Sequence, residues 1–302
     1  MVQSNEIEAE PITSVLIVSH NSAASLRRCL TSIEGSIPRQ QVEVIVVDNG
    51  STDASPHLDT EFPNATFLRL PRYFGFTKAA NIGARTAKGD YLLFLSPAAE
   101  IEPDTISRLA SYLASDPDAV AVCPLLVDES GQTASSPRAL PDCDSIASAW
   151  RSGRASFAPM PIDLSATAVA VDYPQLEALL VRKQFVRGMN YLDERYGESW
   201  SDAELCYRIR SAGRTILLLP QVRVVLHPDN RQAPGNEAEV SADSAVGASV
   251  FISKRKGFLA GLKFRLGAAL YSLGQAFLLK DPGFQFSRLS KILSGQKIDG
   301  SH

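Results

Sequence analysis

At 302 residues the chain is long enough to bury one large core or two smaller ones, and its apolar and charged fractions of 45% and 21% are ordinary for a globular fold. A formal net charge of −3 argues against a dedicated nucleic-acid binder, which carries a basic excess.

The first half alternates strand and helix signals. Ser14-Val-Leu-Ile-Val-Ser19 is a short β-branched apolar run, the pattern of a parallel strand buried on both faces. Asn21 or Ser22 suits the cap of a following helix, whose Leu26, Leu30 and Ile33 recur at helical spacing. Val42 to Asp48 reads as a second strand that stops at Asn49-Gly50, a turn signal. Thr66 to Leu70 is a third, followed by a helix from about Thr77 to Ala87. Asp90 to Leu95 is the fourth, Pro103 opens a helix reaching about Ser115, and Val120 to Leu126 is the fifth strand. Repeated β-α-β units predict a doubly wound, mostly parallel α/β sheet (Rossmann-like), with ligands outside the carboxyl ends of its strands.

Asp128 to Ser165 is rich in Ser, Pro and Ala, lacks a clean period and reads as a surface excursion. Strand patterns return at Val169 to Tyr173 and Leu179 to Arg182, a helix runs from Ser201 to Ala212, and two strands follow at Ile216–Leu219 and Val222–His227. Asp229 to Ser249 is polar and small, which predicts a linker. Beyond it, Leu262, Leu266, Leu270, Leu273 and Phe277 share one helical face, and Phe286, Leu289, Ile292 and Leu293 form a second short pattern. The chain therefore divides into a flexible start (1–11), an α/β domain (12–228), a linker (229–249) and a basic amphipathic helical extension (250–302).

Cys29, Cys123, Cys143 and Cys206 show no CxxC and no Cys/His metal spacing, and read as reduced thiols of a cytoplasmic protein. The acidic start lacks the apolar run of a secretory signal, and no uncharged stretch reaches the roughly 18 residues of a membrane span.

Three motifs in order carry a family resemblance: Val47-Asp-Asn-Gly-Ser-Thr-Asp53 at a strand end, Gly75-Phe-Thr-Lys-Ala-Ala-Asn-Ile-Gly83 opening a helix, and Ser201-Asp-Ala-Glu-Leu-Cys-Tyr-Arg-Ile-Arg210 followed by Val224-Val-Leu-His227. With Gly89-Asp-Tyr-Leu-Leu-Phe-Leu95, the chain resembles family 2 glycosyltransferases of the GT-A fold, most like bacterial rhamnosyltransferase-type members. The resemblance implies inverting hexosyl or rhamnosyl transfer from a dTDP- or UDP-linked donor to a glycan or lipid-linked acceptor in cell-surface polysaccharide synthesis. It assigns Asp202 as the base that takes the acceptor proton. It places the donor against Asp48, Asn49, Lys78, Asn81, Ser96 and Arg182. Glu100 and His227 are its remaining candidates for a divalent cation, Mg²⁺ or Mn²⁺.

Plainer readings stand beside these. Asp53 caps the next helix, Asp202 favours the first turn of its own helix, and the glycines of 75–83 serve helix entry and close packing.

The chain departs from the family pattern at three places. Ala98 stands where a metal-holding Asp is expected, Ser201 replaces an acidic neighbour of Asp202, and Leu176 occupies a glycine position before the apolar strand. Two readings follow: an active transferase weakened in, or independent of, its metal; or a catalytically degenerate module that keeps the fold and binds nucleotide, glycan or a partner protein. A sugar-phosphate nucleotidyltransferase fits less well, because His20-Asn-Ser-Ala takes the place of its glycine-rich phosphate loop. Between Lys254 and Lys297 nine Lys/Arg face one acidic residue, Asp281, which points to an anionic membrane surface as a partner and a peripheral place on the inner membrane face; the plainer reading is a helix packed against the protein's own α/β domain or a dimer partner.

Overall fold

The computed structural model describes residues 13–36, 41–152, 159–228, 237–278 and 280–299. The expected flexible start, with Ile12, and residues 229–236 of the expected linker lie outside them.

In chain order the strands are β1 (Thr13–Ser19), β2 (Val42–Asp48), β3 (Ala65–Arg69), β4 (Tyr91–Leu95), β5 (Ala99–Ile101), β6 (Ala119–Val127), β7 (Thr133–Ser135), β8 (Val169–Val171), β9 (Ala178–Arg182) and β10 (Thr215–Leu226). The helices are α1 (Ala23–Glu34), α2 (Phe76–Thr86), α3 (Thr105–Ser115), α4 (Cys143–Ser152), α5 (Lys183–Gly188), α6 (Ser201–Ser211), α7 (Glu237–Lys256), α8 (Phe258–Phe277) and α9 (Pro282–Ser294). The strands form one sheet in the order β3-β2-β1-β4-β9-β6-β10-β5, with β7 on β6 and β8 on β10. Pairings β1–β2, β2–β3, β1–β4 and β6–β10 are parallel.

Period-2 alternation puts each strand into two cores. Leu16, Ile45, Val47 and Phe94 face the side covered by α2, α6 and α7; Val15, Ile17, Val44, Val46 and Leu93 face α1 and α3. Each fully buried aliphatic side chain contributes about 1.5–3 kcal/mol. Gly83 lets α2 lie against this sheet: a Cβ there would meet Leu16 at 2.2 Å and Val47 at 2.8 Å. The four cysteines are free thiols, three of them buried.

The sheet differs from the sequence expectation in one consequential way. β9 is inserted antiparallel between β4 and β6, pairing Leu95 with Ala178 and Tyr91 with Arg182. One rim of the sheet therefore collects Ser19, Asp48, Leu95, Val127 and Leu226 at strand ends and Ala178 at a strand start, while Arg182 lies on the opposite rim. The two expected final strands are one, β10, whose register breaks between Leu219 and Arg223 around Pro220, a residue with no N–H for the ladder.

Residues 237–249 are a correction: they are not linker but the first part of α7. Ala238, Ala242, Asp243, Ala245, Val246, Gly247 and Ala248 are buried there. Small residues all round a helix carry no stripe of large apolar side chains, so the periodicity that marks other helices is missing. The excursion at 128–165 likewise contains β7 and α4.

Candidate active site

A cleft of about 380 Å³ opens on the collecting rim of the sheet. Ser96 and Pro97 line it after β4, Leu176 and Glu177 before β9, and Trp200 and Asp202 at the start of α6. Ser244 of α7 completes it.

Asp202 sits in the first turn of α6, where the helix dipole favours a negative charge. Tyr173 donates its hydroxyl to Asp202 Oδ2 at 2.5 Å, and the Ala203 N–H reaches Oδ1 at 2.8 Å. Burial pushes the Asp202 carboxyl above its ordinary value; the Tyr173 and Ala203 bonds, and more distantly the Arg138 guanidinium, draw part of that back. Burial and the neighbouring carboxylate push the Tyr173 phenol up, so it stays the donor.

Asp48 ends β2 on the same rim but does not line this cleft; it lies one strand away, opposite Ser19. Its Oδ2 accepts the Ser51 N–H at 3.3 Å, whereas its buried Oδ1 meets no hydrogen-bond donor among the described residues. Burial raises its carboxyl, and the Ser51 contacts only partly offset that. A buried carboxylate oxygen without a donor is costly unless a ligand supplies one.

The other expected donor contacts divide. Ser96 lines the cleft, its N–H bonded to Glu177 O at 2.7 Å and its hydroxyl accepting the Ala98 N–H. Lys78, on the first turn of α2, stacks its ammonium 4.6 Å from the Phe74 ring. Asn49 and Asn81 are corrections. Asn49 is fully buried, accepting from Phe74 N and donating to Gly75 O, so it shapes the entry to α2. Asn81, also fully buried, bonds Leu192 through both ends of its amide and also Glu194, which leaves no face for a ligand. Arg182 is the third correction: on the far rim it donates to the carbonyls of Ala119, Leu113 and Asp116.

The metal candidates meet each other. His227 Nε2 lies 2.7 Å from Glu100 Oε2, and its Nδ1 lies 2.6 Å from Glu129 Oε1. Both ring nitrogens are thus already engaged by carboxylates. Ala98 is buried and its carbonyl accepts the His227 N–H. Among the described residues no three His, Cys, Asp or Glu side chains are arranged to hold a metal ion, so the expected site does not fit one as it stands.

Four residues that sequence patterns did not single out organise the cleft. Trp200 adopts a left-handed φ of 80° just before α6, a conformation that costs energy in a non-glycine residue. It is held against Phe251 of α7 at 5.3 Å, beside Gly247, where a Cβ would come within 2.7 Å of the indole. Glu198 accepts from Phe76 N and Tyr73 Oη, tying the loop before α6 to the start of α2. Asp243 of α7 accepts the N–H groups of Glu198, Ser199 and Ile298. Tyr173 is the fourth. For Trp200 and Glu198 the only sequence signal is proximity to the Ser201–Arg210 motif, for Tyr173 it is the end of the Val169–Tyr173 strand pattern, and Asp243 has neither. The turn before β9 keeps a left-handed residue, Gln175 at φ 67°, while Leu176 narrows the cleft wall.

Behind α6 a second set of charges joins it to α7. Glu204 bonds Arg208, Lys254, Arg255 and the Tyr196 hydroxyl, and Asp193 bonds Lys254 and Arg208. Burial would raise the Glu204 carboxyl, but Lys254 and Arg255 more than offset it and hold it low.

Comparison with known proteins agrees with this architecture. The family model described as glycosyl transferase family 2 matches residues 14–161. The N-acetylglucosaminyl-diphospho-decaprenol L-rhamnosyltransferase of Mycobacterium tuberculosis is 25% identical over 234 residues, covering 72% of this chain and 76% of that one. Among solved structures, S. aureus TarS 1–349 in complex with UDP-GlcNAc superposes with a TM-score of 0.60 at 14% identity, covering 93% of this chain and 90% of that one. GalNAc-T7 with UDP, GalNAc and Mn²⁺ gives a TM-score of 0.61 at 18% identity; it covers 86% of this chain, which spans only 55% of that one. Residues 14–161 match glycosyl transferase family 2, and the chain has the GT-A fold.

Proposed function

We propose that the protein is an inverting transferase that moves a hexosyl or rhamnosyl group from a dTDP- or UDP-linked donor to a glycan or lipid-linked acceptor in cell-surface polysaccharide synthesis. The observation that carries the reading is Asp202: a carboxylate lining a rim cleft at a helix N-terminus, its basicity raised by burial. Two oxygens bonded once each retain lone pairs for an incoming hydroxyl. As the acceptor oxygen bonds to the anomeric carbon, its proton passes to Asp202, and the electrons of the breaking glycosyl–phosphate bond leave with the nucleoside diphosphate. The donorless oxygen of Asp48 suits a base N–H or ribose hydroxyl. Lys78, two residues after the cleft-lining Phe76, and Arg138, whose charge is felt at Asp202, suit the diphosphate. No step runs through a metal ion.

The second reading, a nucleotide- or glycan-binding module without turnover, draws its support from Ala98 and the mutual engagement of Glu100, His227 and Glu129. Calorimetric titration of UDP, dTDP, GDP and their sugars, with Mn²⁺ and then with EDTA, separates the cases. The transferase reading expects a dTDP- or UDP-sugar to bind equally in both and to be consumed when acceptor is added. Binding without turnover across acceptors selects the module. Binding that EDTA abolishes overturns the metal-independent route, and no binding at all overturns both readings.

A further inference from the structure

α8 is inside out for a water-exposed helix. Its buried positions are Gly261, Ala268, Ala269, Ser272 and Ala276, and these small residues pack it against α7 and α9. Its large side chains point away from the protein: Leu259 is 68% exposed, Leu270 67% and Phe277 76%, with Leu262 and Leu266 also exposed. Positions 259, 262, 266, 270 and 277 follow helical spacing and so form one continuous stripe. α9, packed on α8, exposes Phe286 and Leu293 as well. A helix that buried its leucines would be stabilised by each of them, so leaving a whole stripe in water needs a covering surface.

Charge identifies that surface. Lys256, Lys263 and Lys280 are exposed at the start, along and after the stripe, and Lys263 and Lys280 make no ion pair among the described residues. From 254 to 297 the only acidic residue is Asp281, so the patch is apolar with a cationic margin. No helix among the described residues is long and apolar enough to cross a membrane, and Lys263 and Arg265 interrupt the first half of α8. The arrangement is that of a helix lying in the plane of a bilayer, its leucines among the acyl chains and its lysines at the headgroups.

We propose that the outward face of α8, extended by Phe286 and Leu293 of α9, docks the protein on an anionic lipid surface. The inference deepens the lipid-linked acceptor of the proposed function, and it rests on the geometry of α8 and α9 rather than on turnover. Vesicle co-sedimentation of the full chain tests it without any donor or acceptor. The wild-type protein should bind vesicles of equal parts phosphatidylglycerol and phosphatidylcholine at least roughly tenfold better than phosphatidylcholine alone. Leu262→Gln/Leu266→Gln/Leu270→Gln should lose binding to both while keeping the wild-type circular dichroism, since all three side chains are already in solvent. Lys263→Glu/Lys280→Glu, which leaves the apolar stripe intact, should lose the preference for phosphatidylglycerol. Equal sedimentation of wild type and the triple variant overturns the proposal. So does a concentration-dependent dimer, seen by analytical ultracentrifugation, that the triple variant abolishes, because a second copy would then cover the face.

Discussion

Tyr173, two residues past β8, donates its hydroxyl to Asp202 in the first turn of α6 at 2.5 Å. A group on the 172–177 connection thus holds the proposed base in place and lowers its proton affinity. Removing that hydroxyl changes both.

Tyr173→Phe should raise the Asp202 pKa, because the hydrogen bond stabilises the ionised carboxylate that burial disfavours. A base must be ionised to work, so the acidic limb of the kcat/KM profile should move to higher pH. Loss of a hydrogen bond to a charged group should also lower stability by about 1.5–3 kcal/mol, measured by urea unfolding. A profile with an unmoved acidic limb would remove Asp202 from the base role.

Asp48→Asn should separate binding from stability. The buried Oδ1 has no donor, so replacing the carboxylate by a neutral amide relieves an uncompensated charge. The melting temperature should hold or rise while nucleotide affinity, measured by calorimetry, falls at least about tenfold. A fall in both would make Asp48 structural.

Asp243 carries a pH signature. Burial raises its carboxyl to about 6, with the three backbone N–H bonds offsetting only part of the effect. The folded protein therefore holds this proton more tightly than the unfolded chain. Its contribution to stability is full below about pH 4 and is lost as pH rises through about 6, a change of about 3 kcal/mol. Urea unfolding of Asp243→Asn across that window should show a flatter dependence than wild type by this amount, and identical slopes would refute the assignment.

Glu204→Gln should destabilise the α6–α7 junction severely. The anion sits among Lys254, Arg255 and Arg208 with 4% of its side chain exposed, and among the described residues Asp193 would remain to balance Lys254 and Arg208. Removing one member of such a buried cluster costs about 3–5 kcal/mol. Circular dichroism melting of the full chain checks this, and a loss below about 1 kcal/mol would show the charges to be solvated.

The parallel half of the sheet was legible because its strands are runs of Val, Ile and Leu with turn residues at their ends. The places of Asp48 at the end of β2 and of Asp202 at the start of α6 were legible too, since strand ends and helix starts are marked locally. Arg182 shows where local reading stops. Its run is a strand, but nothing in Leu179-Leu-Val-Arg182 states the direction in which that strand enters, and reversal carries its end to the far rim. Asn49 and Asn81 failed for another reason: an amide can bond backbone or ligand, and only the fold reveals which partners arrive first. α7 was hidden by its small residues, and with it Asp243, Ser244 and Gly247, the contacts that place the loop before α6.

The meeting of Ile298 with Gly75 and Asp243 has a consequence for synthesis. The Ile298 carbonyl lies where a Cβ on Gly75 would sit, within 2.0 Å of it, and its N–H is held by Asp243. The sheet and the motifs at 47–53 and 75–83 leave the ribosome long before α7 and residue 298 do. The nascent chain thus presents the rim loop, 197–199, before its anchor exists, and the cleft can take its final shape only once residue 298 has emerged.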